Sequence, residues 1–597
     1  MVGNESEGAE RNRFRNLCSG ITNELNINDD TGGSPGILIA ENPIALANHA
    51  ANHIGSNTIN LYKGRAGILS YSGRYFEFYK NTINMELDDK QTAIQIEGLA
   101  DGLVRRNKVF GMGGTILNSK GITAKGAFST IFSCNQLNDT KIGLSFDGMG
   151  DQSVVRGNEF TGQAVGLQLE MNGHVGSQSH QGNRWFGSFG EVGAKHLGSQ
   201  ASIALSPFIV DADEAAGQSF VYLPTLSASG TWFEDQDVAT PSEDIFYCTA
   251  TNYNACATVS PPVNIKDGIQ GLDEKFARGS FVSPQFTTEL TWTGRRHLFS
   301  RIAENNIPLQ NYAQVNSFYT NATNTSIEQL HEAGQSIKTA LTLSGSDEIA
   351  LDGYTTDIEG YLTALHQNSE ALSTATTSTD ILSLLADRAD ITGNLAEMIE
   401  EADDFSNDLY TDLLGNIGAA KTINSSVSAT VVYELNEKDY NNLFITFIET
   451  DSFTAIQKST LWNIASQCPL AGGDGVYHAR SLYALIDPLA VYNDVTLCSG
   501  QQPLSRPNNE DSIEAQTQFD VYPNPAKELA IFRFHQNLDE LVTLEVFHAS
   551  GRLLHKQNYE VSDQQIQIET PWASGVYFCR ISLNGQLLGT RMIAIIK

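Results

Sequence analysis

The stretch Asn81 to Gly98 reads NTINMELDDKQTAIQIEG, and its first four letters also occur at Asn57. The same pattern, an asparagine, any residue and then an apolar one, returns as NKVF at Asn107, NQLN at Asn135, NEFT at Asn158 and NRWF at Asn183. Subtracting positions gives spacings of 24, 26, 28, 23 and 25. A unit of that length, rich in glycine and β-branched residues, is too short for two packed helices and amounts to about one turn of a parallel β-solenoid. Within each turn a second strand alternates inward and outward residues: AGILSY from Ala66, TAIQIEG from Thr92, KGITAKG from Lys120, IGLSFDG from Ile142 and VGLQLEMNG from Val165. A third precedes each asparagine, as in YFEFYK, GLVRR, STIFS and SVVRG. Three strands per coil predict a three-sided stack with an apolar interior. Asn57, Asn81, Asn107, Asn135, Asn158 and Asn183 then share one bend, where a side-chain amide can bond its equivalent in the next coil or tolerate a left-handed corner. That is a structural role; lining a ligand groove is the weaker alternative, because a corner faces along the stack.

The chain has 597 residues, too many for one hydrophobic core, and its 41% hydrophobic and 18% charged content predicts several folded domains. A net charge of -32 repels phosphate backbones and anionic lipid heads, which excludes nucleic acid as a partner. Between Asn321 and Ala420 there are 18 acidic residues against Lys338 and Arg388 alone. With no D-x-D-x-D-G loop among them, they read as a solvated helical surface and not a metal site. No apolar run is long enough for a membrane-spanning helix. The N-terminal MVGNESEGAERNRFRNLCSG lacks the basic-then-apolar pattern of a secretory signal peptide.

Of seven cysteines, Cys248 and Cys256 flank the short loop CTATNYNAC, and Cys468 and Cys498 bracket a compact stretch. With no CxxC spacing these read as two disulfides and not as zinc ligands. Cys134 and Cys579 read as buried thiols on strands, and Cys18 has no assigned partner. The repeat spans 37–185, and an irregular β module over 186–262 would cap it, since bare terminal coils invite edge pairing. From 268 to 498 the period becomes helical: Ile327, Leu330, Ile337, Leu341; then Ile358, Leu362, Leu365, Leu372; then Leu384, Ile391, Leu395, Met398. These stripes are expected to be core. TSIEQL, with Thr325 or Ser326 followed by Glu328, reads as a helix start, and LSGSDE and STATTSTD as breaks.

Catalytic signals are weak. Asp88 and Asp89 form the one acidic doublet of the repeat and read as solvated. His49 and His53 stand four apart as in a helical zinc site, but Ala50 occupies the place of the general base. His174 and His180 lie in a glycine-rich closing segment, and no nucleophile elbow, phosphate loop or dinucleotide fingerprint occurs. No cofactor is expected, since a helical bundle that held one would want inward E-x-x-H pairs.

The repeat resembles the right-handed parallel β-helix family, which includes pectin-degrading enzymes and periplasmic copper-site maturation proteins. That resemblance implies the fold and leaves the chemistry open. The pectin-hydrolase motifs are absent: NTIN stands where N-T-D is required, and G-H-G and R-I-K are missing. The lyase version wants a calcium carboxylate cluster beside an arginine; Arg105 and Arg106 are present without the cluster. Ile464 to Asp487, IASQCPLAGGDGVYHARSLYALID, resembles a closing block of large exported Bacteroidetes surface proteins, which supports pairing Cys468 with Cys498.

The stretch 499–518 is polar, carries two prolines and reads as a linker. Beyond it, alternating strands in 519–597 predict a small Ig-like β-sandwich, with Pro523 and Pro525 confining their strand to an edge. Tyr522, Pro523, Asn524, Pro525 and Ala526, then SGR around Gly551, SGVY from Ser574 through Gly575 to Tyr577, and a final Lys597 closely resemble the C-terminal sorting domain of type IX secretion cargo. The resemblance implies recognition by the type IX translocon of a Bacteroidetes cell. A sorting peptidase would then cut within 499–518 and leave the body secreted or held on the outer surface. Such cargo carries a Sec signal peptide, so an incomplete N-terminus is expected. The body itself reads as a non-catalytic adhesin or glycan-binding scaffold, the alternative being a polysaccharide lyase or glycoside hydrolase whose site is missing or diverged.

Overall fold

A computed structural model gives the structure, describing residues 2–4, 24–28, 35–39, 52–74, 76–86, 91–112, 118–227, 232–237, 246–248, 268–499, 519–522, 526–527, 529–534, 541–548, 553–561, 564–572, 575–583 and 586–595. The chain divides into a body running to Leu504 and a second unit from Ser505.

The body begins as a parallel β-solenoid of about 6 turns. Two sheets of eight strands and one of five form its sides, parallel except at the first pairing of one long sheet and the last pairing of the other. Apolar residues stack in register on the inner faces. One row runs Ile59, Ile83, Val109, Leu137, Phe160, Trp185; another runs Ile68, Ile94, Ile122, Leu144, Leu167, Ala194. These residues are nearly or wholly buried in one core. The sheet carrying the first row alternates, as in Thr82–Met85, because its outer face meets water. In the sheet carrying the second row both faces are buried, as in Ala66–Arg74 and Thr92–Ala100, because helices cover it.

Each ladder asparagine donates from Nδ2 to Oδ1 of the next: Asn57 to Asn81 at 2.9 Å, Asn81 to Asn107 and Asn107 to Asn135 at 3.0 Å, Asn135 to Asn158 at 2.9 Å, Asn158 to Asn183 at 3.0 Å. The second amide hydrogen of Asn107 goes back to the Phe78 carbonyl at 2.8 Å, and its oxygen also accepts the Asn81 backbone N–H at 3.1 Å. The left-handed residue at each corner is the one before the asparagine: Ser56, Lys80, Arg106, Cys134, Gly157 and Gly182.

Past Trp185 the long sheet gains Val192–His196, and an aromatic plug closes the stack: Trp185 meets Phe233, and Phe208 meets Trp232. The disulfide expected between Cys248 and Cys256 is corrected. Cys248 is bonded to Cys134, 114 residues away, and Cys256 lies outside the described residues. Cys134 is not an inward thiol on a strand; it occupies a left-handed corner just after Ile131–Ser133, where Phe246 and Cys248 lie against the next corner, Gly157. Cys468 and Cys498 are bonded, Cys579 is a buried free thiol, and Cys18 lies outside the described residues.

The helical region packs on the solenoid except for its longest elements. Gly345–Thr374 and Ser378–Ser426 form an antiparallel arm, with Asn368 Nδ2 on the Leu384 carbonyl at 2.9 Å and the Tyr354 and Phe405 rings in contact. Ser344 and Thr377 cap them, each accepting from the backbone N–H of the aspartate three residues on. The apolar stripes expected as core are only half-buried here, and Leu362 is 53% exposed, because two helices can cover only one seam between them.

In the second unit the strands expected to build an Ig-like sandwich form two small antiparallel sheets, of three and four strands. Phe519–Tyr522 is an edge strand of the first. Phe532, Leu544, Tyr577, Cys579 and Ile593 belong to one shared apolar core.

Candidate functional site

The helix Asp474–Tyr483 lies on the covered solenoid sheet. Tyr477 sits on Gly98 and Gly126, where a Cβ would come within 2.6 and 2.5 Å of its side chain. Both positions have positive φ, +72° and +57°, so glycine is required by approach and by backbone alike. Three residues along, Arg480 is wholly buried and reaches back into the sheet. It bonds Glu97 Oε2 at 2.9 Å and Asp494 Oδ1 at 2.6 Å, and Lys125 Nζ joins the same two carboxylates at 3.0 and 2.6 Å. Burial opposes ionisation of Glu97, but Lys125 and Arg480 outweigh it and hold the carboxyl down at about 2. Two positive and two negative groups thus neutralise one another where the solenoid meets the helices.

Against this clamp lies a cavity of about 290 Å³. Bends of the solenoid form one wall and the helices Thr287–Asn305, Ser326–Leu341, Val432–Thr450 and Asp474–Tyr483 the other. Each of its four carboxylates faces a basic side chain. Asp101 meets Arg74 at 2.9 Å, Glu304 meets the same arginine at 3.3 Å, Glu437 meets Arg296 at 2.9 Å, and Asp474 meets His297 Nε2 at 2.6 Å. Nδ1 of His297 lies 3.1 Å from Asp151, and its ring stacks on Phe128 with centroids 3.9 Å apart. Burial disfavours the imidazolium, yet Asp474 and Asp151 lift it to about 10, so His297 is a fixed cation at neutral pH. His331, hydrogen-bonded to Ser300 at 3.0 Å, is pushed down to about 4 by burial and by Arg296, and is neutral. Ser72 Oγ lies 2.6 Å from His478 Nδ1, and that ring stacks on Tyr440.

Glycoside hydrolysis wants one carboxyl kept protonated; burial would raise Glu304 and Asp474, but Arg74 and His297 outweigh it and hold both carboxyls below their usual range. Ser72 and His478 have nucleophile-to-base spacing, but among the described residues no carboxylate orients the second ring nitrogen. Among those residues no group of histidine, cysteine and acidic side chains could hold a metal ion.

The residues singled out from sequence lie elsewhere. Asp88, Asp89 and His49 are outside the described residues, and His53 is on the strand Asn52–Gly55, not a helix. Arg105 is engaged by Glu77, and Arg106 forms a corner. His174 is buried against Phe281 and pushed down to about 3 by burial and His196, while His180 holds the Gln236 carbonyl at 3.0 Å. The cavity residues Ser72, Arg74, His297, Glu304 and His331 had no sequence motif. His478 and Arg480 lay inside the quoted block Ile464 to Asp487, whose close-set Asp474, Tyr477, His478 and Arg480 were the one available signal.

In the second unit Ala526 is buried, Gly575 opens the strand Gly575–Leu583, and Tyr577 is buried against Trp572. Tyr522 ends its edge strand; Pro523, Asn524, Pro525, Gly551 and Lys597 lie outside the described residues. Residues 520–595 match the family described as Secretion system C-terminal sorting domain. This stretch is a C-terminal sorting domain. Its presence supports export by type IX secretion, implies interaction with that machinery, and indicates a secreted or cell-surface protein. The sorting domain leaves the body unassigned, and no curated protein and no solved structure matches the chain. No described helix is long and apolar enough to cross a membrane.

Proposed function

We propose that the chain is a surface-delivered binding protein of a Bacteroidetes-type cell. The type IX translocon takes its sorting domain, a sorting peptidase trims it within 499–518, and the body acts as a non-catalytic adhesin or glycan-binding scaffold. The cavity between solenoid and helices is the binding site. One observation carries this reading: a chamber of about 290 Å³ lined from both sides by charged and amide groups, with every carboxylate already paired to a cation. Its volume is at the lower end of small-molecule pockets and suits one or two sugar units better than a long chain. Gln335 and Lys338, on one helix, line the chamber; Gln335 Nε2 gives one hydrogen to Glu304 at 2.6 Å and has a second to offer a hydroxylated ligand.

A glycan array probed with the full chain, followed by a reducing-sugar and unsaturated-uronate assay on every hit, tests the proposal. Binding that Gln335→Ala and Lys338→Ala weaken roughly tenfold, without product, is the expected result. Product release, or hits indifferent to both substitutions, would overturn it.

A further inference from the structure

The two-helix arm carries a second apolar stripe that its own seam does not use. Tyr354, Ile358, Tyr361 and Leu365 on one helix and Ile391, Leu395, Met398 and Phe405 on the other fill the seam, half-buried at alternating spacings of three and four. Leu382, Leu385, Ala389, Ala396 and Ile399 run along the second helix beside that seam at the same spacing, and Leu382, Leu385 and Ile399 are 68%, 48% and 44% exposed. Leu362 of the first helix directly follows seam residue Tyr361, just as Leu385 follows Leu384 and Ile399 follows Met398. In an antiparallel pair these positions flank the seam on one side, so the leucines and the isoleucine form a single shallow groove.

Exposed carboxylates border the groove on both sides, Asp352 and Glu359 on the first helix and Glu400 and Asp403 on the second. None of the four makes an ion pair among the described residues. From Gly345 to Asp412 the arm has 16 carboxylates and one arginine, Arg388. A second copy of the arm would bring the same charge to the same place, and an anionic membrane or a nucleic acid would be repelled.

We propose that the arm is a docking surface for a cationic amphipathic helix of a partner protein or peptide. The partner's apolar stripe fills the groove at Leu362, Leu385 and Ile399, and lysines or arginines on both its flanks meet the bordering carboxylates. The seam supplies two helices of a bundle, and the partner supplies the third.

Fluorescence anisotropy of the full chain with a labelled model helix of about five turns, leucine and lysine at heptad spacing, tests this. The lysine helix should bind and a glutamate counterpart should not, with binding weakened by salt. The double variant Leu385→Glu, Ile399→Glu should lose roughly tenfold or more in affinity. Both positions are exposed, so the helical circular dichroism signal should stay unchanged. Binding unaltered in the double variant would reduce the effect to bulk charge attraction and overturn the proposal. Failure of the lysine helix to bind would also overturn it, as would self-association in sedimentation that the double variant abolishes.

Discussion

Asn107 uses its whole amide, one hydrogen forward to Asn135, one back to the Phe78 carbonyl, and an oxygen that accepts from Asn81 twice. Replacing it by alanine leaves several buried groups unpaired at once, each worth about 1–3 kcal/mol. Asn107→Ala is therefore expected to destabilise the solenoid by about 3 kcal/mol or more, read by urea unfolding. Asn84→Ala, which removes one bond to Asn60 on the watered side, should cost less than about 1 kcal/mol. The sign of the pH effect follows from His297 and Glu97. His297 rises from 6.5 to about 10 in the fold, so its contribution is complete below about 6.5 and is lost as pH rises through about 10. Glu97 falls from 4.5 to about 2, so its contribution is present above about 4.5 and is lost as pH falls toward 2. The melting temperature should form a plateau between those limits, and His297→Gln should flatten the alkaline limb; an alkaline limb identical in both proteins would remove His297 from the account.

Elements were legible where one local rule decides them. The coil could be read because each asparagine and the apolar residue two places on recur at the same depth, the start of the helix Ser326–Leu341 because Thr325 precedes it and Glu328 follows, and the breaks LSGSDE and STATTSTD because they hold the capping residues Ser344 and Thr377. The cavity could not: Ser72 and His478 are 406 residues apart, and nothing near either one announces the other. The same limit misassigned Cys248. Nearness in sequence favoured Cys256, whereas the turn of the solenoid brings Cys134 beneath it. The Cys134–Cys248 loop spans 114 residues and the Cys468–Cys498 loop 30, so chain entropy gives about 5 and about 4 kcal/mol respectively. Cys134→Ser should lower the melting temperature at least as far as Cys468→Ser, measured under non-reducing conditions.

The chain behaves as two units, and the sequence between them is poor in apolar residues. Limited proteolysis should cut first within 499–518, and the body should then unfold at the temperature it shows in the intact chain; a body that melts lower once cut would mean that the units fold as one. Within the body the amides of Asn57 to Asn183 all point the same way, hydrogen toward the later coil and oxygen toward the earlier. The stack therefore has a grain, and its length is quantised. A duplicated segment that begins at one asparagine and ends just before the next inserts a rung with its own head and tail, and the run of dipoles closes over it. An insertion of the same size without an asparagine interrupts the run at both of its joints. Growth and loss by whole coils is the mode of change this architecture tolerates, so related chains can differ in reach by single coils while keeping the aromatic plug that ends the stack.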